Sequence, residues 1–471
     1  MTSPSQSPLR KIPSVEVLLQ DAELQRSAGD LPRGIVTECV RVAVDEIRSR
    51  LKDTTCGDVD QETIRREILA QAGEHLRSAM GPHFRKVINA TGIILHTALG
   101  RAVLPARALR QIEEELSGYS LLQADVATGR RARRDARIEW LLQQLTGAEA
   151  ATVVNNNAAA TSIVLNTVAR GKEVIVSRGQ LVEIGGSFRL PDVMAASGAK
   201  LVEVGTTNKT HPKDYETAVT PETAAIMRVH PSNYKITGFT SEVPLEELVK
   251  IAHAHNLILI DDAGAGPLID FSRFGFDKEP TLRESVQAGA DLITSSADKL
   301  IGAAQGGIIL GRAGMIQAIR KNPLARIVRV GKLTLAALEA TLSLFLDESL
   351  ALREVPALRM LCRSLGEIAE QADRIAGAIG QGTAEAIVTV IDGYSQMGSG
   401  SLPTQNLATR LVAVQATKIG PDELALRLRR HSPPVFARIH KDQVLVDPRT
   451  LLEGEEEVVL KALLEVLGAG E

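Results

Sequence analysis

Seven short apolar runs alternate with longer segments of helical periodicity between residues 140 and 320. The runs cover residues 152–154, 173–176, 201–204, 225–229, 257–260, 292–294 and 308–310. Each is rich in aliphatic residues and too short for a buried helix, so each predicts a buried strand. Their alternation with helices predicts an α/β domain with a mostly parallel sheet covered on both faces. Ligands of such sheets bind beyond the carboxyl ends of the strands.

The rest of the chain extends this central part on both sides. Its 471 residues, of which 44% are apolar and 24% are charged, are typical of a globular protein with two or three domains. Residues 1–85 predict a small helical N-terminal region, because their apolar positions follow helical spacing. We assign residues 86–332 to the large sheet domain, and residues 333–471 to a linking helix and a small α+β domain.

Composition argues against several classes of protein. No apolar run reaches the length of a membrane span, so we expect no membrane contact. Cys39, Cys56 and Cys362 lie far apart without metal-ligand spacing, so we expect no metal site and a reducing, cytoplasmic location. The aromatic content of 3% argues against a base-stacking platform as the main means of binding nucleic acid. Because the net charge is −3, any RNA contact requires local basic patches.

One lysine, Lys299, lies between two predicted strands in the segment DLITSSADKLIGAAQGGIILG, residues 291–311. The small residues around it leave room for a ligand. Burial lowers the pKa of a lysine and provides a nucleophilic amine for Schiff-base chemistry. The alternative is a surface lysine at a helix start, and this segment alone favours neither interpretation.

Two aspartates end the buried run in LILIDDAGAG, residues 257–266. A carboxylate at the carboxyl end of a parallel strand can pair with a pyridinium nitrogen and keep that ring protonated. We favour Asp262 for this role, with Asp261 as the second choice. A helix cap or a turn is the structural alternative for both residues.

A third segment, TVVNNNAAAT at residues 152–161, passes from a strand into three asparagines and an alanine-rich helix. Free backbone N–H groups at the helix start, together with Asn156, Asn157 and Ala158, suit a phosphate group. Capping the helix requires only one of the asparagines. Asn233 follows the predicted strand 225–229, where it either hydrogen-bonds a ring hydroxyl or a substrate, or forms a turn.

The order of these features, phosphate cradle, acidic strand end and then lysine, is that of pyridoxal 5′-phosphate enzymes with the aminotransferase-like fold, fold type I. Longer motifs narrow the interpretation, and they are VINATGIILHTALGRAVL, VVNNNAAA, VEIGGSFRLPDVM, HPSNYKITGFT, DKLIGAAQGGIILG and NPLARIVRVGKLTLAALEATL. Nearly from end to end, the chain resembles the bacterial selenocysteine synthase family, the L-seryl-tRNA(Sec) selenium transferases.

The resemblance implies that seryl-tRNA(Sec) is converted to selenocysteinyl-tRNA(Sec) with selenophosphate, through a dehydroalanyl intermediate bound to pyridoxal phosphate. It implies that Lys299 is catalytic. The implied cofactor-binding residues are Asn156, Asn157, Ala158, Asn233, Asp262, Ser296 and Lys299. The residues implied for selenophosphate are Arg101, Arg326 and Arg329. A tRNA-binding N-terminal region and a homo-oligomer built as a ring of dimers are also implied.

Some positions depart from the usual residues of this family. They include Ala303, Ala304, Gly331 and the stretch 119–137, which ends in the basic run TGRRARRDAR. That run either contacts RNA or a neighbouring subunit, or forms a solvated helix face. The departures motivate a rival hypothesis, a pyridoxal-phosphate-dependent lyase of a small amino acid or an amino-sugar phosphate. A non-catalytic relative that binds RNA or protein is a third hypothesis, which the presence of Lys299 and Asp262 opposes.

Overall fold

The structure is a computed structural model of the chain and describes residues 8–53, 60–186 and 188–468. Cys56, one of the three cysteines considered above, lies outside these ranges, whereas Cys39 and Cys362 are free thiols. Contacts divide the chain into two compact units, Met1–Lys86 and Val87–Glu471.

The N-terminal unit is helical, as its apolar spacing predicts. Its helices are α1 (Val15–Leu18), α2 (Ala22–Ala28), α3 (Arg33–Asp53) and α4 (Gln61–Met80). Leu18, Val40 and Ile64, from three of these helices, are fully buried in one apolar cluster. Asp60 begins α4 by accepting hydrogen bonds from two backbone N–H groups of the first turn, which satisfies donors that a helix start leaves free.

The strands of the second unit form one large sheet, one small sheet and a short hairpin. The large sheet contains β2 (Ala150–Val154), β3 (Glu173–Ser177), β6 (Lys200–Val204), β7 (Thr223–Val229), β8 (Ile258–Asp262), β9 (Leu292–Ser296) and β10 (Gly307–Gly311). The small sheet contains β1 (Ile88–Ala90), β11 (Ala386–Gly398), β12 (Ser401–Ala416), β13 (Val435–His440) and β14 (Gln443–Val446). The hairpin consists of β4 (Glu183–Ile184) and β5 (Phe188–Arg189).

The large sheet has the strand order β2–β10–β9–β8–β7–β3–β6. Strand β10 runs antiparallel to both of its neighbours, and the other pairs are parallel, which confirms the predicted mostly parallel sheet. Asp262 stands in register with Val229 on one side and Thr294 on the other. The carboxyl ends of β7, β8 and β9 therefore meet at one edge of the sheet.

Helices cover both faces of the large sheet and one face of the small one. They are α5 (Ala106–Leu116), α6 (Ala136–Thr146), α7 (Asn157–Val168), α8 (Leu190–Ser197), α9 (Pro212–Ala218), α10 (Leu245–Ala254), α11 (Leu282–Ala288), α12 (Ala313–Lys321), α13 (Leu324–Ile327), α14 (Lys332–Leu344), α15 (Glu348–Glu354), α16 (Pro356–Cys362), α17 (Leu365–Gly382), α18 (Pro421–Arg430) and α19 (Glu455–Gly468). In β10, Ile308 and Leu310 belong to one apolar cluster and Ile309 to another, because successive strand side chains point to opposite faces. Aliphatic residues on both faces explain why these strands read as unbroken apolar runs.

The small sheet has the order β1–β13–β14–β12–β11, and only its β1–β13 pair is parallel. Buried side chains of α17, α18 and α19 pack against it in one apolar cluster. Strand β1 comes from the beginning of this unit, so the small sheet anchors the segment that leads to Arg101. The backbone N–H of Gly92 donates to Thr450 Oγ1 at 3.0 Å, which adds to this anchor.

Two further findings concern only residues 8–53, 60–186 and 188–468. None of their helices has the length and apolar character that crossing a bilayer requires. No cluster of three or more His, Cys, Asp or Glu side chains among them is arranged to hold a metal ion.

Candidate active site

A cavity of about 290 Å³ lies beyond the carboxyl ends of β7, β8 and β9. Asp262 and Ser296 are the last residues of β8 and β9, and Lys299 follows in the next loop. These three residues line the cavity together with Asn156 and Asn157 from the start of α7. The sheet thus brings into one cavity side chains that lie far apart in the sequence.

Lys299 is buried, with 6% of its surface exposed. Its neighbours Ala297, Leu300 and Ile301 are buried as well and belong to the apolar core of the unit. Burial lowers the pKa of the Lys299 ammonium, and the carboxylates of Asp262 and Asp298 partly oppose that effect. The interpretation of Lys299 as a surface lysine at a helix start does not agree with this position. A lowered pKa increases the fraction of unprotonated amine, the form that acts as a nucleophile or a base.

Asp262 is 4% exposed and accepts three hydrogen bonds within the protein. Its donors are Asn157 Nδ2 at 2.9 Å, Thr161 Oγ1 at 3.0 Å and the Gly264 N–H at 3.1 Å. Burial raises the pKa of the Asp262 carboxyl, and these three donors oppose the rise by stabilising the ionised form. A cationic ring nitrogen in the cavity would favour the ionised carboxylate further.

Asp261 lies on the other face of the same strand and does not line the cavity. Its carboxylate accepts from Arg228 NH1 at 2.8 Å and from Ser285 Oγ at 2.7 Å, and it is fully buried. The two candidates for a ring partner are thereby distinguished: Asp262 faces the cavity, whereas Asp261 belongs to a structural ion pair.

The three asparagines after β2 have three different environments. Asn156 caps α7, since its Oδ1 accepts from the Ala159 N–H at 2.9 Å. Asn157 holds Asp262, and the Asn155 N–H donates to the carbonyl of Val328 at 2.9 Å. Only one of them is a cap, and Asn156, Asn157 and Ala158 all line the cavity.

Two buried polar atoms beside the cavity have no hydrogen-bond partner among the described residues: Asn157 Oδ1 and Ser232 Oγ. Leaving such atoms unpaired costs free energy, so a polar ligand there is favoured. Pyridoxal phosphate presents an aldehyde to an amine, a ring nitrogen to a carboxylate, and a hydroxyl and a phosphate to hydrogen-bonding groups. Lys299, Asp262 and the start of α7 provide these counterparts, so the residues present fit this cofactor.

Asn233 and Ser296, two further predicted cofactor residues, occupy different positions. Ser296 lines the cavity. Asn233 does not, because its Nδ2 donates to the Glu183 carbonyl at 2.8 Å, and its neighbour Ser232 lies in the cavity wall instead. The turn formed by residues 231–234 decides which of these adjacent side chains reaches the cavity.

Arg101 also lines the cavity, on the side of Asp298. Its NH1 donates to Asp298 Oδ2 at 2.8 Å, and its backbone has φ of 63°, a conformation that non-glycine residues rarely adopt. A second hollow, of about 530 Å³, adjoins this pair. Arg101 therefore lies where it could bind an anion near Lys299. In this structure its guanidinium is paired with the Asp298 carboxylate.

Arg326 and Arg329, the other two arginines implied for selenophosphate, do not line the Lys299 cavity of their own chain. Arg329 lines a separate cavity of about 320 Å³ together with Arg134 and Arg320. Arg326 lies close enough to Arg134 to lower its pKa by charge repulsion. Within one chain, the three predicted arginines thus form two groups rather than one.

Sequence reasoning assigned no role to Asp298 or Thr161. Asp298 pairs with Arg101 and adjoins Lys299, and Thr161 donates to Asp262. Thr161 stands one helical turn after Asn157, and this spacing of four residues was a signal that both could reach the same carboxylate. The partner of Asp298 comes from a distant segment, for which the sequence gives no signal.

Known proteins resemble this chain along nearly its whole length. A family model described as L-seryl-tRNA selenium transferase matches residues 87–452, and a second, described as selenocysteine synthase N terminal, matches residues 9–48. L-seryl-tRNA(Sec) selenium transferase of Alkaliphilus metalliredigens is 45% identical over 97% of this chain and 98% of its own length. The L-seryl-tRNA(Sec) selenium transferase of Geobacter sulfurreducens is 44% identical over 97% of this chain and 98% of its own length.

A solved structure of D-glucosaminate-6-phosphate ammonia-lyase covers 84% of this chain and 98% of its own chain, with a TM-score of 0.56 and 21% identity. At that identity the likeness shows a shared fold only. The fold is the predicted aminotransferase-like one, with its mostly parallel sheet and small α+β part. The family match over residues 87–452 and the identity of more than two fifths with full-length relatives establish that the chain belongs to the L-seryl-tRNA selenium transferase family.

Proposed function

We propose that this protein converts seryl-tRNA(Sec) to selenocysteinyl-tRNA(Sec), with selenophosphate as the selenium donor and pyridoxal 5′-phosphate as the cofactor. The observation that carries the proposal is the presence of Lys299 and Asp262 in one cavity of a chain that matches this family nearly from end to end. A buried amine and a buried carboxylate at the edge of an α/β sheet are the pair that this cofactor requires.

Lys299 would hold the aldehyde carbon of the cofactor and Asp262 its ring nitrogen, with Asn156, Asn157 and Ala158 at its phosphate. We retain Ser296 in this set, and we assign the hydrogen bond to the ring hydroxyl to Asn233 or to its neighbour Ser232. When bound, the cofactor supplies an electron sink for negative charge that develops at the Cα atom of the seryl group.

Lys299 then has a second role, as the base that takes the Cα proton. This role requires a neutral amine, and burial lowers the pKa of Lys299 in that direction. The apolar residues around Lys299 also keep water away from the amine. Thr161 and Asn157 keep the Asp262 carboxylate oriented through their hydrogen bonds.

Arg101, Arg326 and Arg329 would bind the phosphate of selenophosphate, because guanidinium groups form paired hydrogen bonds with tetrahedral oxyanions. Since Arg326 and Arg329 lie outside the Lys299 cavity of their own chain, we propose that neighbouring subunits contribute them to one another. Exposed apolar side chains of Tyr119, Leu121 and Val126 support a subunit contact nearby. The proposed assembly is a homo-oligomer, a ring of dimers.

The N-terminal region, residues 1–85, is the proposed tRNA-binding domain. Its match to the N-terminal family model supports this assignment. We propose further that residues 86–332 bind the cofactor, that residues 333–471 form the linking helix and the small domain, and that the protein acts in the cytoplasm, where aminoacyl-tRNA is used.

Turnover of purified protein with seryl-tRNA(Sec) and selenophosphate tests this proposal. We expect selenium to be incorporated into the aminoacyl-tRNA, and Lys299→Ala to abolish both this activity and the visible absorbance of the cofactor. Free serine, cysteine and amino-sugar phosphates should not turn over. Ammonia release from an amino-sugar phosphate without selenium transfer would establish the rival lyase hypothesis instead.

A further inference from the structure

The cavity of about 320 Å³ at the end of β2 is unusually rich in cations. Its charged lining residues are Arg133, Arg134, Asp135, Arg320, Lys321 and Arg329. A cavity lined by five cationic side chains and one carboxylate attracts an anion, because the low-dielectric walls strengthen the field of the charges.

The carboxylates near this cavity are already engaged. Asp135 Oδ2 accepts from Thr152 Oγ1 at 2.8 Å and from Arg320 NH2 at 3.0 Å. Glu139, behind the cavity, pairs with Arg133 at 2.5 Å and with Arg320 at 3.1 Å. These two acids thus form ion pairs with Arg133 and Arg320, whereas Arg134, Lys321 and Arg329 form none with the residues that the structure describes.

Arg134, Arg326 and Arg329, which we call the arginine cluster, form no ion pair with a carboxylate of the part of the chain that the structure describes. Arg134 is held in place by two neutral acceptors, the Val330 carbonyl at 3.2 Å and Gln123 Oε1 at 2.7 Å. A guanidinium has five N–H donors, so two hydrogen bonds leave donors for a ligand. Burial lowers the pKa of Arg134, and repulsion from Arg329, Arg131 and Arg326 adds to this effect.

The cluster is connected to the phosphate cradle through the backbone. Val154 and Arg329 form an isolated antiparallel bridge, and the Val328 carbonyl accepts from the Asn155 N–H. The segment that carries Arg326 and Arg329 is therefore fixed to the loop that builds the Lys299 cavity. Arg134 reaches the same segment through its hydrogen bond to Val330.

We infer that Arg134 is a fourth arginine of the donor site, in addition to Arg101, and that it binds, with Arg326 and Arg329, the phosphate group of the selenium donor. This inference rests on the proposed function for the identity of the donor. The site itself is defined by its chemistry, which is recognition of a small tetrahedral oxyanion by three guanidinium groups that form no ion pair with a carboxylate in residues 8–53, 60–186 and 188–468.

Calorimetric titration of the holoenzyme with inorganic phosphate at constant ionic strength tests the site without any turnover. We expect wild-type protein to bind phosphate, and Arg134→Gln to weaken binding about tenfold or more, as the loss of a charge-assisted hydrogen bond requires. Arg134→Lys keeps the charge but lacks the planar fork, so its affinity should be intermediate.

The matched control is Arg283→Gln, which removes an exposed arginine whose NH2 also donates to a backbone carbonyl, that of Leu145. This control should bind phosphate like the wild type. Three results would overturn the inference. They are equal phosphate affinities of Arg134→Gln and the wild type, an equal loss of phosphate affinity in Arg134→Gln and Arg283→Gln, and no binding of phosphate to the wild type. The visible absorbance of the cofactor shows whether each variant is folded.

Two further measurements separate the possible sources of the phosphate group. In selenium transfer, Arg134→Gln should raise the KM for selenophosphate about tenfold and leave the KM for seryl-tRNA unchanged. A loss of tRNA affinity with unchanged phosphate affinity would make Arg134 an RNA contact and refute the inference. If phosphate binding depends on Arg134 but no selenium is transferred by the wild type, the proposed function fails while the anion site stands.

Discussion

At the scale of residues, burial shifts the pKa values of Lys299 and Asp262 in opposite directions. It lowers the pKa of Lys299 and raises that of Asp262, so both neutral forms are favoured in the isolated cavity. Lysine chemistry benefits from this effect, because a neutral amine is the reactive form. Asp262 requires the opposite, and its three hydrogen-bond donors oppose the rise of its pKa by stabilising the ionised form that a ring nitrogen needs.

Replacement of Asp262 by asparagine should therefore impair the chemistry more than the fold. We expect kcat to fall roughly a hundredfold or more, since the carboxamide carries no charge to stabilise a protonated ring. Steady-state kinetics and the visible spectrum of the cofactor measure this effect. A variant with wild-type kcat would contradict the assignment of Asp262.

Asp261→Asn provides the matched control on the same strand. Removal of the Asp261 charge leaves the guanidinium of Arg228 without its partner, so the free energy of unfolding should fall by about 3 kcal/mol. The visible spectrum should remain that of the wild type, because Asp261 does not line the cavity. Chemical denaturation measures the first effect.

At the scale of elements, β10 supports the cradle through close contact with its backbone. A Cβ atom on Gly307 would lie 2.1 Å from the carbonyl oxygen of Asn156 and 2.5 Å from its carbonyl carbon. Only glycine permits this approach, because backbone atoms cannot move aside as a flexible side chain can. The antiparallel strand β10 thus sets the position of the loop that begins α7.

Gly307→Ala should displace that loop. We expect at least about tenfold weaker cofactor binding and a loss of about 2 kcal/mol in the free energy of unfolding, the usual cost of overpacking. Spectroscopic titration of the apoprotein with pyridoxal phosphate measures the affinity. Gly314→Ala in α12 is the control, since a Cβ there meets no atom within 4 Å and alanine favours helix. Similar cofactor affinities of the two variants would show that Gly307 does not position the cradle.

At the scale of the whole molecule, two features are not explained by a single active site within one chain. The chain divides into two compact units after Lys86, and its predicted donor arginines lie in two groups. Each arrangement leads to a prediction about partners, one about tRNA and one about a neighbouring subunit.

Deletion of residues 1–86 should separate tRNA binding from cofactor binding. Because the second unit has its own apolar clusters and contains Lys299 and Asp262, the shortened protein should keep the visible absorbance of the cofactor. Its affinity for the selenocysteine tRNA should fall at least about tenfold, as the loss of several phosphate contacts requires. Filter binding or calorimetry measures that affinity, and equal affinities with and without the segment would refute the tRNA-binding assignment.

Co-expression of Lys299→Ala and Arg329→Gln tests whether one site uses residues of two subunits. Each variant alone should transfer little selenium. Random mixing gives half of the subunits an intact Lys299 and half an intact Arg329, so about a quarter of the sites recover both. Mixed oligomers without recovered activity would show that both residues must belong to one chain.

Sequence alone determined the large sheet, the order of the chemical groups along the chain and the family. It could do so because strands buried on both faces leave unbroken aliphatic runs, and because a lysine, an aspartate and an asparagine-rich helix start are local features. Only the tertiary structure placed Asp262 rather than Asp261, and Ser232 rather than Asn233, in the cavity wall, and brought Arg134 close to Arg326 and Arg329. These outcomes depend on which way a side chain points and on what distant segments bring beside it, and neither is encoded in the spacing of residues along the chain.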